Sequence, residues 1–212
     1  MGPERVVLRD GSDVLIRQIH HADASLLADG FARLSDESRR LRFLTTKSAL
    51  SASELRYFTE VDHHDHEALG ALDPVTGRGL GIARYIRLVE DPQVAEVAVA
   101  VANDWQGRGL GTELLRRVAD RARQEGICRF TALVAAHNPG VVGMLSGIGA
   151  GVRVIHREFD TVEYEIELAP SGGDDELQAV LRACGSQQLT PPKPIRDVLA
   201  ALATNWFAAD DE

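Results

Sequence analysis

A glycine-rich turn between an apolar strand and an amphipathic helix is the feature that most constrains this chain. Residues 94–101 alternate as in a strand, residues 107–111 are Gly-Arg-Gly-Leu-Gly, and apolar residues at helical spacing follow at once. Glycines let the backbone approach a ligand closely, and the first N–H groups of a helix have no partner within it. We therefore predict an anion site on this turn, suited to a phosphate or a pyrophosphate.

The same pentapeptide occurs a second time, at residues 77–81, where its context predicts a different role. It follows an Asp-Pro-Val-Thr segment and leads into a strand pattern, which is typical of a hairpin turn. Residues 107–111 form no Walker A loop, because no Lys-Ser/Thr pair follows them. They also lack the spacing and the βαβ context of a dinucleotide fingerprint.

Composition and charge exclude several classes of protein. The 212 residues include 44% hydrophobic residues, enough for one main core, and the net charge of -9 argues against general nucleic-acid binding. Two cysteines give neither a disulfide framework nor a metal spacing, which indicates a reducing, cytoplasmic setting. No signal-peptide core and no apolar run of membrane-spanning length occur in the sequence, so we expect no membrane contact.

The periodicity predicts a mixed α/β (α+β) chain with a mostly antiparallel central sheet flanked by helices. A capping box, Ser51 with Glu54, marks the third helix, and Gly126 is a candidate cap for the long helix that starts near Gly109. The predicted strands are residues 14–19, 67–72, 80–89, 94–101, 129–135, 152–159 and 162–168, the last two as a hairpin. The predicted helices are residues 24–34, 35–43, 53–61, 109–126 and 138–148.

Composition changes at residues 170–173, where Pro-Ser-Gly-Gly interrupts the pattern. We expect a domain over residues 1–169 and a linker with a helical extension over residues 170–212. The segment 195–207 has an apolar helical face, which must dock on its own core, on a second copy or on another partner. We favour docking within the same assembly, so these C-terminal helices are candidates for a homo-oligomer contact.

The pattern Gln106-x-x-Gly109-x-Gly111 resembles the Q/R-x-x-G-x-G/A signature of the GNAT superfamily of acyl-CoA N-acyltransferases. The order of predicted elements over residues 14–168 is similar as well. The segments IRQIHHAD, LSDESRRLRF and NDWQGRGLGTELLRRV most resemble the acetyltransferase domain of bacterial protein-lysine acetyltransferases. The resemblance implies a GNAT fold and direct transfer of an acetyl group from acetyl-CoA to an amine, with a protein lysine as the first-ranked acceptor.

The resemblance also implies a coenzyme site along the strand, the turn and the helix. The pyrophosphate would lie on the turn amides, and the strand edge would pair with the pantetheine arm, with the Val99 amide facing the thioester oxygen. Arg108 would add a cation or be a solvated turn residue, and Asn138 would bind pantetheine or only cap a helix. The implied coenzyme-binding residues are Val99, Ala100, Val101, Gln106, Gly107, Arg108, Gly109, Leu110, Gly111, Thr112 and Asn138.

Glu96 is the candidate general base, since it is an ionisable residue within an otherwise apolar strand. A lysine amine has a pKa near 10.4, so roughly one in a thousand is neutral at pH 7, and a carboxylate can help to deprotonate it. The alternative is a structural carboxylate paired with Arg84 or Arg87.

Many relatives carry a tyrosine as general acid where this chain has Leu145. Solvent or Ser146 would then protonate the thiolate, or no acid is needed. The usual Gly-Phe is changed to Gly-Ala at residues 149–150, which leaves the acceptor pocket less defined.

Two further groups of residues have simpler interpretations. Residues 63–67, His-His-Asp-His-Glu, are adjacent rather than spaced for one metal, so we predict no metal site and consider His66 a substrate contact. The arginines of the long helix are expected on a solvated face, or at the 3′-phosphate of the coenzyme; they are Arg116, Arg117, Arg121 and Arg123. Two other functions stay open, a small-molecule amine acetyltransferase and a non-catalytic acyl-CoA sensor.

Overall fold

The computed structural model describes residues 2–43, 48–136, 138 and 140–168. The strands β1 to β8 are Glu4–Val7, Asp13–Gln18, His66–Leu72, Gly79–Arg87, Val94–Val101, Arg129–Ala135, Gly151–Arg157 and Thr161–Glu167. The helices α1 to α5 are Ala24–Ala32, Asp36–Phe43, Ala52–Thr59, Leu110–Gln124 and Gly140–Ser146. In these ranges no helix is both long enough and apolar enough to span a membrane.

The strands form one 8-stranded sheet in the order β1-β2-β3-β4-β5-β6-β8-β7. Every neighbouring pair is antiparallel except β5 with β6, which is parallel. This parallel pair needs a crossover connection, which α4 provides. The mixed α/β fold with a mostly antiparallel sheet is therefore confirmed.

Helices cover both faces of the sheet, as two adjacent residues of β3 demonstrate. The ring of His66 lies 5.5 Å from the ring of Tyr57 in α3, whereas the Glu67 carboxylate accepts a hydrogen bond from Arg121 in α4 at 3.2 Å. Successive side chains of a strand point to opposite faces, so α3 and α4 lie on opposite sides. The main core lies between the sheet and α4, whose residues Leu114, Leu115, Val118, Ala119 and Ala122 are fully buried.

Most predicted elements are confirmed within a few residues, including the Ser51–Glu54 capping box and the antiparallel meander β3-β4-β5. The turn at residues 77–81 joins β3 to β4 as a hairpin, with Gly77 at φ 70°. The strand predicted at residues 14–19 is confirmed as β2, but the prediction that it is the first strand was wrong, because β1 precedes it. Three of its four residues are exposed, so β1 has no apolar alternation. The expected division at residue 170 and the C-terminal helices lie outside the described residues.

Candidate active site

A cleft opens where β5 and β6 separate. Their parallel pairing covers only Val94–Glu96 against Arg129–Thr131, and β6 continues beside β8 alone. The cleft has a volume of about 820 Å³ and runs from the residues around Glu96 to the turn at residues 107–111. The strand edge, the glycine turn and the start of α4, which come from one continuous segment, thus line one cavity.

The backbone of β5 presents hydrogen-bonding groups to this cleft. The amide of Ala102 donates to Leu80 at 2.8 Å and Leu88 donates to Val94 at 2.9 Å, so even-numbered residues of β5 bond to β4. Because the direction alternates along a strand, the N–H groups of Val99 and Val101 point away from β4, towards the gap. Val99 is thus placed as the sequence predicted, while Ala100, also in the cleft wall, bonds to β4.

The glycine turn has the backbone conformation that the sequence predicted. Gly107 and Gly109 have φ values of 75° and 89°, which other residues rarely adopt. The first helical bond runs from the Glu113 amide to the Gly109 carbonyl at 3.0 Å, so the amides of residues 110–112 have no acceptor among the described residues. A Cβ on Gly111 would lie 3.0 Å from the sulfur of Met144 in α5. A larger residue there would therefore require the Met144 side chain to shift.

Gln106 joins three elements at the mouth of the cleft. Its Nε2 donates to the Val101 carbonyl at 3.1 Å and to the Ser38 hydroxyl of α2 at 3.3 Å. The side chain thereby binds the end of β5 to the turn and to α2. Gln106 lines the cleft, and its side-chain amide holds the turn in place through these two hydrogen bonds.

Two arginines flank the glycine turn. The Arg108 guanidinium lies 4.8 Å from the centre of the Trp105 ring and 3.6 Å from the Asp10 carboxylate. The exposed Arg9 also lines the cleft, and its Cδ lies 3.9 Å from the position of a Cβ on Gly109. Among the described residues Arg9 has no acidic partner. The sequence reasoning missed Arg9, because it belongs to the β1–β2 hairpin that was not predicted.

Glu96 lies at the inner end of the cleft, half-buried, on the sheet face that α3 covers. Arg84 and Ile86 of β4 share this face, because Ile86 is the register partner of Glu96. Arg87 faces elsewhere and donates to the Asp65 carboxylate at 2.7 Å. An Arg87 partner for Glu96 is therefore excluded, the Arg84 alternative stays open, and Glu96 lines the cleft.

A buried arginine is fixed beside this position. Arg84 donates to the Phe58 carbonyl at 3.3 Å, its guanidinium lies 4.5 Å from the centre of the Phe58 ring, and its Nη1 is 3.2 Å from His66 Nε2. Burial, together with the Arg84 charge, lowers the pKa of His66 to about 4. His66 is thus neutral at pH 7 and accepts the bond from Arg84. It is not among the residues that line the cleft, contrary to the expected substrate contact.

Tyr57 is a second residue that the sequence reasoning missed. It lies on α3, lines the cleft and has a pKa raised first by burial and further by the negative charge of Glu96, with Arg84 opposing. This shift adds to an ordinary phenol pKa of about 10, so the phenol is protonated at neutral pH. The position at which many relatives carry a tyrosine is Leu145 in this chain, and Leu145 is a buried core residue. An amphipathic helix pattern does not by itself indicate that Tyr57 faces a cavity.

The helix after β6 contributes less than expected. Asn138 lines the cleft just before α5, where it could contact pantetheine or cap the helix. The Ser146 hydroxyl donates to the Val142 carbonyl at 2.9 Å and does not line the cleft. Ser146 therefore does not face the cleft, and the expectations of protonation by solvent or of no acid at all stay open.

The arginines of α4 are engaged in ion pairs, and only Arg116 among them is exposed. Arg116 lies 2.9 Å from Glu113, and Arg123 lies 2.8 Å from Asp120. Arg117 and Arg121 are paired in the same way, with Glu4 at 2.6 Å and with Glu67 at 3.2 Å. The expected solvated face applies to Arg116 alone, since the other three arginine side chains are largely buried, and none of the four lines the cleft.

The side chains of the histidine-rich segment 63–67 make structural hydrogen bonds. His63 Nδ1 lies 2.8 Å from the buried Glu67, and His64 Nδ1 lies 2.6 Å from Glu125. No group of His, Cys, Asp and Glu suited to a metal ion occurs within the described ranges.

Comparison with known proteins agrees with this geometry. The family model described as "Acetyltransferase (GNAT) family" matches residues 33–149. The chain is 32% identical over 160 residues to acetyltransferase PA5475 of Pseudomonas aeruginosa, covering 71% of this chain and 86% of that protein. It is 28% identical over 168 residues to acetyltransferase Pat of Mycolicibacterium smegmatis. This match covers 79% of this chain but only 50% of that longer protein. It is also similar to the crystal structure of the GNAT domain of S. lividans PAT, with 33% identity, a TM-score of 0.71 and coverage of 78% of this chain and 97% of that one. This chain belongs to the acetyltransferase (GNAT) family.

Proposed function

We propose that this chain transfers an acetyl group from acetyl-CoA directly to a primary amine, with a protein lysine as the acceptor and Glu96 as the general base. One observation supports the proposal above others: Glu96, the outward-pointing amides of β5 and the glycine turn lie in this order along a single cleft. This order matches what the reaction needs, namely a base, a site for the thioester and a site for phosphate.

The pyrophosphate of acetyl-CoA would accept hydrogen bonds from the amides of residues 110–112, supported by the positive end of the α4 dipole. The pantetheine arm would lie along the free edge of β5, in the manner of an added strand. The thioester oxygen would then accept a bond from the Val99 amide, which stabilises the negative charge that develops during attack.

Glu96 would take one proton from the ammonium group and so produce the neutral amine, directly or through water. The amine nitrogen would attack the thioester carbon, the N–C bond would form, and the C–S bond would break. The nitrogen releases its second proton as the amide forms, and the CoA thiolate takes up one proton. Tyr57 lines the cleft, and its phenol keeps its proton at neutral pH, so it is a candidate donor from the chain.

A protein lysine is ranked first because of the similarity to the GNAT domain of S. lividans PAT and to M. smegmatis Pat. The cleft supports this ranking, since the aromatic rings of Tyr57 and Phe58 and the side chain of Ile86 form an apolar wall beside Glu96. Such a wall suits the four methylene groups of a lysine side chain. We also propose that the protein is cytoplasmic. The proposed domain boundary lies between residues 169 and 170, and residues 170–212 would form an oligomer contact.

The test is release of free CoA from acetyl-CoA by the full chain, with folded proteins, lysine peptides and small amines as acceptors. Acetyl-lysine in the protein products is identified by mass spectrometry. We expect Glu96→Gln to lower kcat/KM for the best acceptor by about 100-fold or more. Glu90→Gln is the matched control, because Glu90 is an exposed carboxylate in the β4–β5 turn and does not line the cleft.

Each result has a separate consequence. Equal rates for wild type and Glu96→Gln near neutral pH would contradict the base assignment. Thiol release with small amines alone would favour the small-molecule acetyltransferase. Binding of CoA without thiol release for any acceptor would favour the sensor.

A further inference from the structure

The hydroxyl of Thr131 on β6 is buried and has no hydrogen-bond partner among the protein atoms of the described chain. The residue is only 2% exposed. A buried hydroxyl without a partner is destabilising, and valine would have the same shape without this cost. Buried hydroxyls of this kind in native proteins usually bind an ordered water or a ligand.

Thr131 lies directly beside the candidate base. It is the register partner of Glu96 in the parallel β5–β6 pair, and neighbouring strands lie about 4.8 Å apart. The preceding Phe130 faces the α4 side of the sheet, where its ring centre lies 6.1 Å from that of Tyr85. Side chains alternate along a strand, so Thr131 points to the same face as Glu96.

The other neighbour of Thr131 is already engaged. On β8 the register partner of Thr131 is Glu165, whose carboxylate accepts a hydrogen bond from Arg153 at 2.8 Å. Of the two carboxylates that flank Thr131, only Glu96 lines the cleft. Thr131 itself is buried and is not a lining residue, but it is paired with Glu96 and directly precedes Ala132 and Leu133, which line the cleft.

We propose that Thr131 is a positioning residue for the Glu96 base, and that its hydroxyl holds the water molecule that carries the proton from the acceptor amine to Glu96. The Thr131 hydroxyl donates to one lone pair of this water, and the ammonium group of the acceptor donates to the other. One hydrogen of the water is then directed at the Glu96 carboxylate. The ammonium proton moves to the water as the water passes a proton to Glu96, so the water is regenerated and the amine becomes neutral.

This inference rests on the proposed role of Glu96, and a set of variants of the full chain tests it. Thr131→Val keeps the shape and removes the hydroxyl, so we expect kcat to fall about tenfold with an unchanged affinity for CoA. The same variant should unfold at a higher urea concentration than wild type, because it removes an unpaired buried hydroxyl. Thr131→Ser keeps the hydroxyl and should retain nearly the wild-type kcat.

Thr59→Val is the matched control. Thr59 is also 2% exposed, but its hydroxyl donates to the Leu55 carbonyl at 2.7 Å. We expect Thr59→Val to unfold at a lower urea concentration and to keep its kcat. If Thr131 had a purely structural role, Thr131→Val would change stability and activity in the same direction. The proposal predicts that this variant gains stability and loses activity.

The double variant Glu96→Gln with Thr131→Val separates this inference from the base assignment. If both residues act in one proton transfer, the double variant should be no slower than Glu96→Gln alone. If Glu96→Gln is slow but Thr131→Val is as fast as wild type, the role of Thr131 is wrong while the base assignment stands. The role is also wrong if Thr131→Ser is as slow as Thr131→Val, or if the two losses multiply. If Glu96→Gln is as fast as wild type, the base assignment fails and the inference fails with it.

Discussion

Glu96 and Thr131 are the last residues through which β5 and β6 pair, and the two strands separate directly beyond them. The separation leaves the N–H groups of Val99 and Val101 directed at a gap instead of at a neighbouring strand. The same point therefore marks the end of the sheet pairing, the start of the cleft and the position of a carboxylate. The free strand edge leads from Glu96 to the glycine turn and the first turn of α4.

The repeated pentapeptide allows a controlled test of the phosphate site. Gly109 and Gly77 have φ values of 89° and 70°, so Gly109→Val and Gly77→Val should each lower stability by about 1–3 kcal/mol. Only Gly109→Val should weaken CoA binding, by about 100-fold or more, because only that turn opens the α4 helix. Isothermal titration with CoA measures this difference. Similar CoA affinities for the two variants would contradict the assignment.

Arg9 should contribute to coenzyme binding through its charge. A charge-assisted contact with a phosphate predicts that Arg9→Ala weakens CoA binding about fivefold to tenfold, with a smaller effect at high salt. Arg5→Ala is the control, because Arg5 lies on the same hairpin, is 64% exposed and lies 3.9 Å from Asp13. Titrations with CoA and with 3′-dephospho-CoA would identify the phosphate. An Arg9→Ala affinity equal to that of Arg5→Ala would exclude the contact.

Tyr57→Phe should lower kcat about tenfold and leave the CoA affinity unchanged, if the phenol returns a proton to the thiolate. Burial raises the pKa of Tyr57, so loss of its proton should not reduce the wild-type rate between pH 7 and about pH 10. Steady-state rates across this range measure both effects. Tyr164→Phe, on β8 and outside the cleft lining, is the control. A wild-type rate in Tyr57→Phe would leave solvent as the proton donor.

His66 should make stability dependent on pH in mildly acidic solution. Its pKa is lowered to about 4 in the folded chain, against about 6.5 when unfolded, so the unfolded chain binds the proton more readily. The free energy of unfolding should be fully retained above pH 6.5 and fall as the pH decreases towards 4. The loss should be on the order of 2 kcal/mol after allowance for solvent screening. Urea unfolding of wild type and His66→Gln between pH 7 and pH 4.5 tests this.

His66→Gln should show less of this pH dependence, because glutamine does not titrate. His156→Gln is the control, since His156 is exposed on β7 and lies 3.5 Å from Glu158. A slope in His66→Gln equal to that of wild type would assign the acid sensitivity to other groups.

The amino-acid sequence by itself determined the strand–turn–helix unit. Three local patterns define this unit, and each follows from backbone geometry within a few residues. They are the alternation over β5, the glycines at residues 107 and 109, and the apolar stripe of α4. Local patterns also predicted the meander and the final hairpin, and they singled out Glu96 as an ionisable residue within an apolar strand.

Only the tertiary structure decided which distant residues meet that unit. Arg9 comes from an exposed hairpin, Tyr57 from a helix early in the chain and Thr131 from the neighbouring strand, and none has a local signal of function. The place where β5 and β6 stop pairing depends on the paths of two strands joined by a whole helix. This point creates the cleft and brings Thr131 to Glu96, because pairing between strands is a long-range contact that no short sequence pattern encodes.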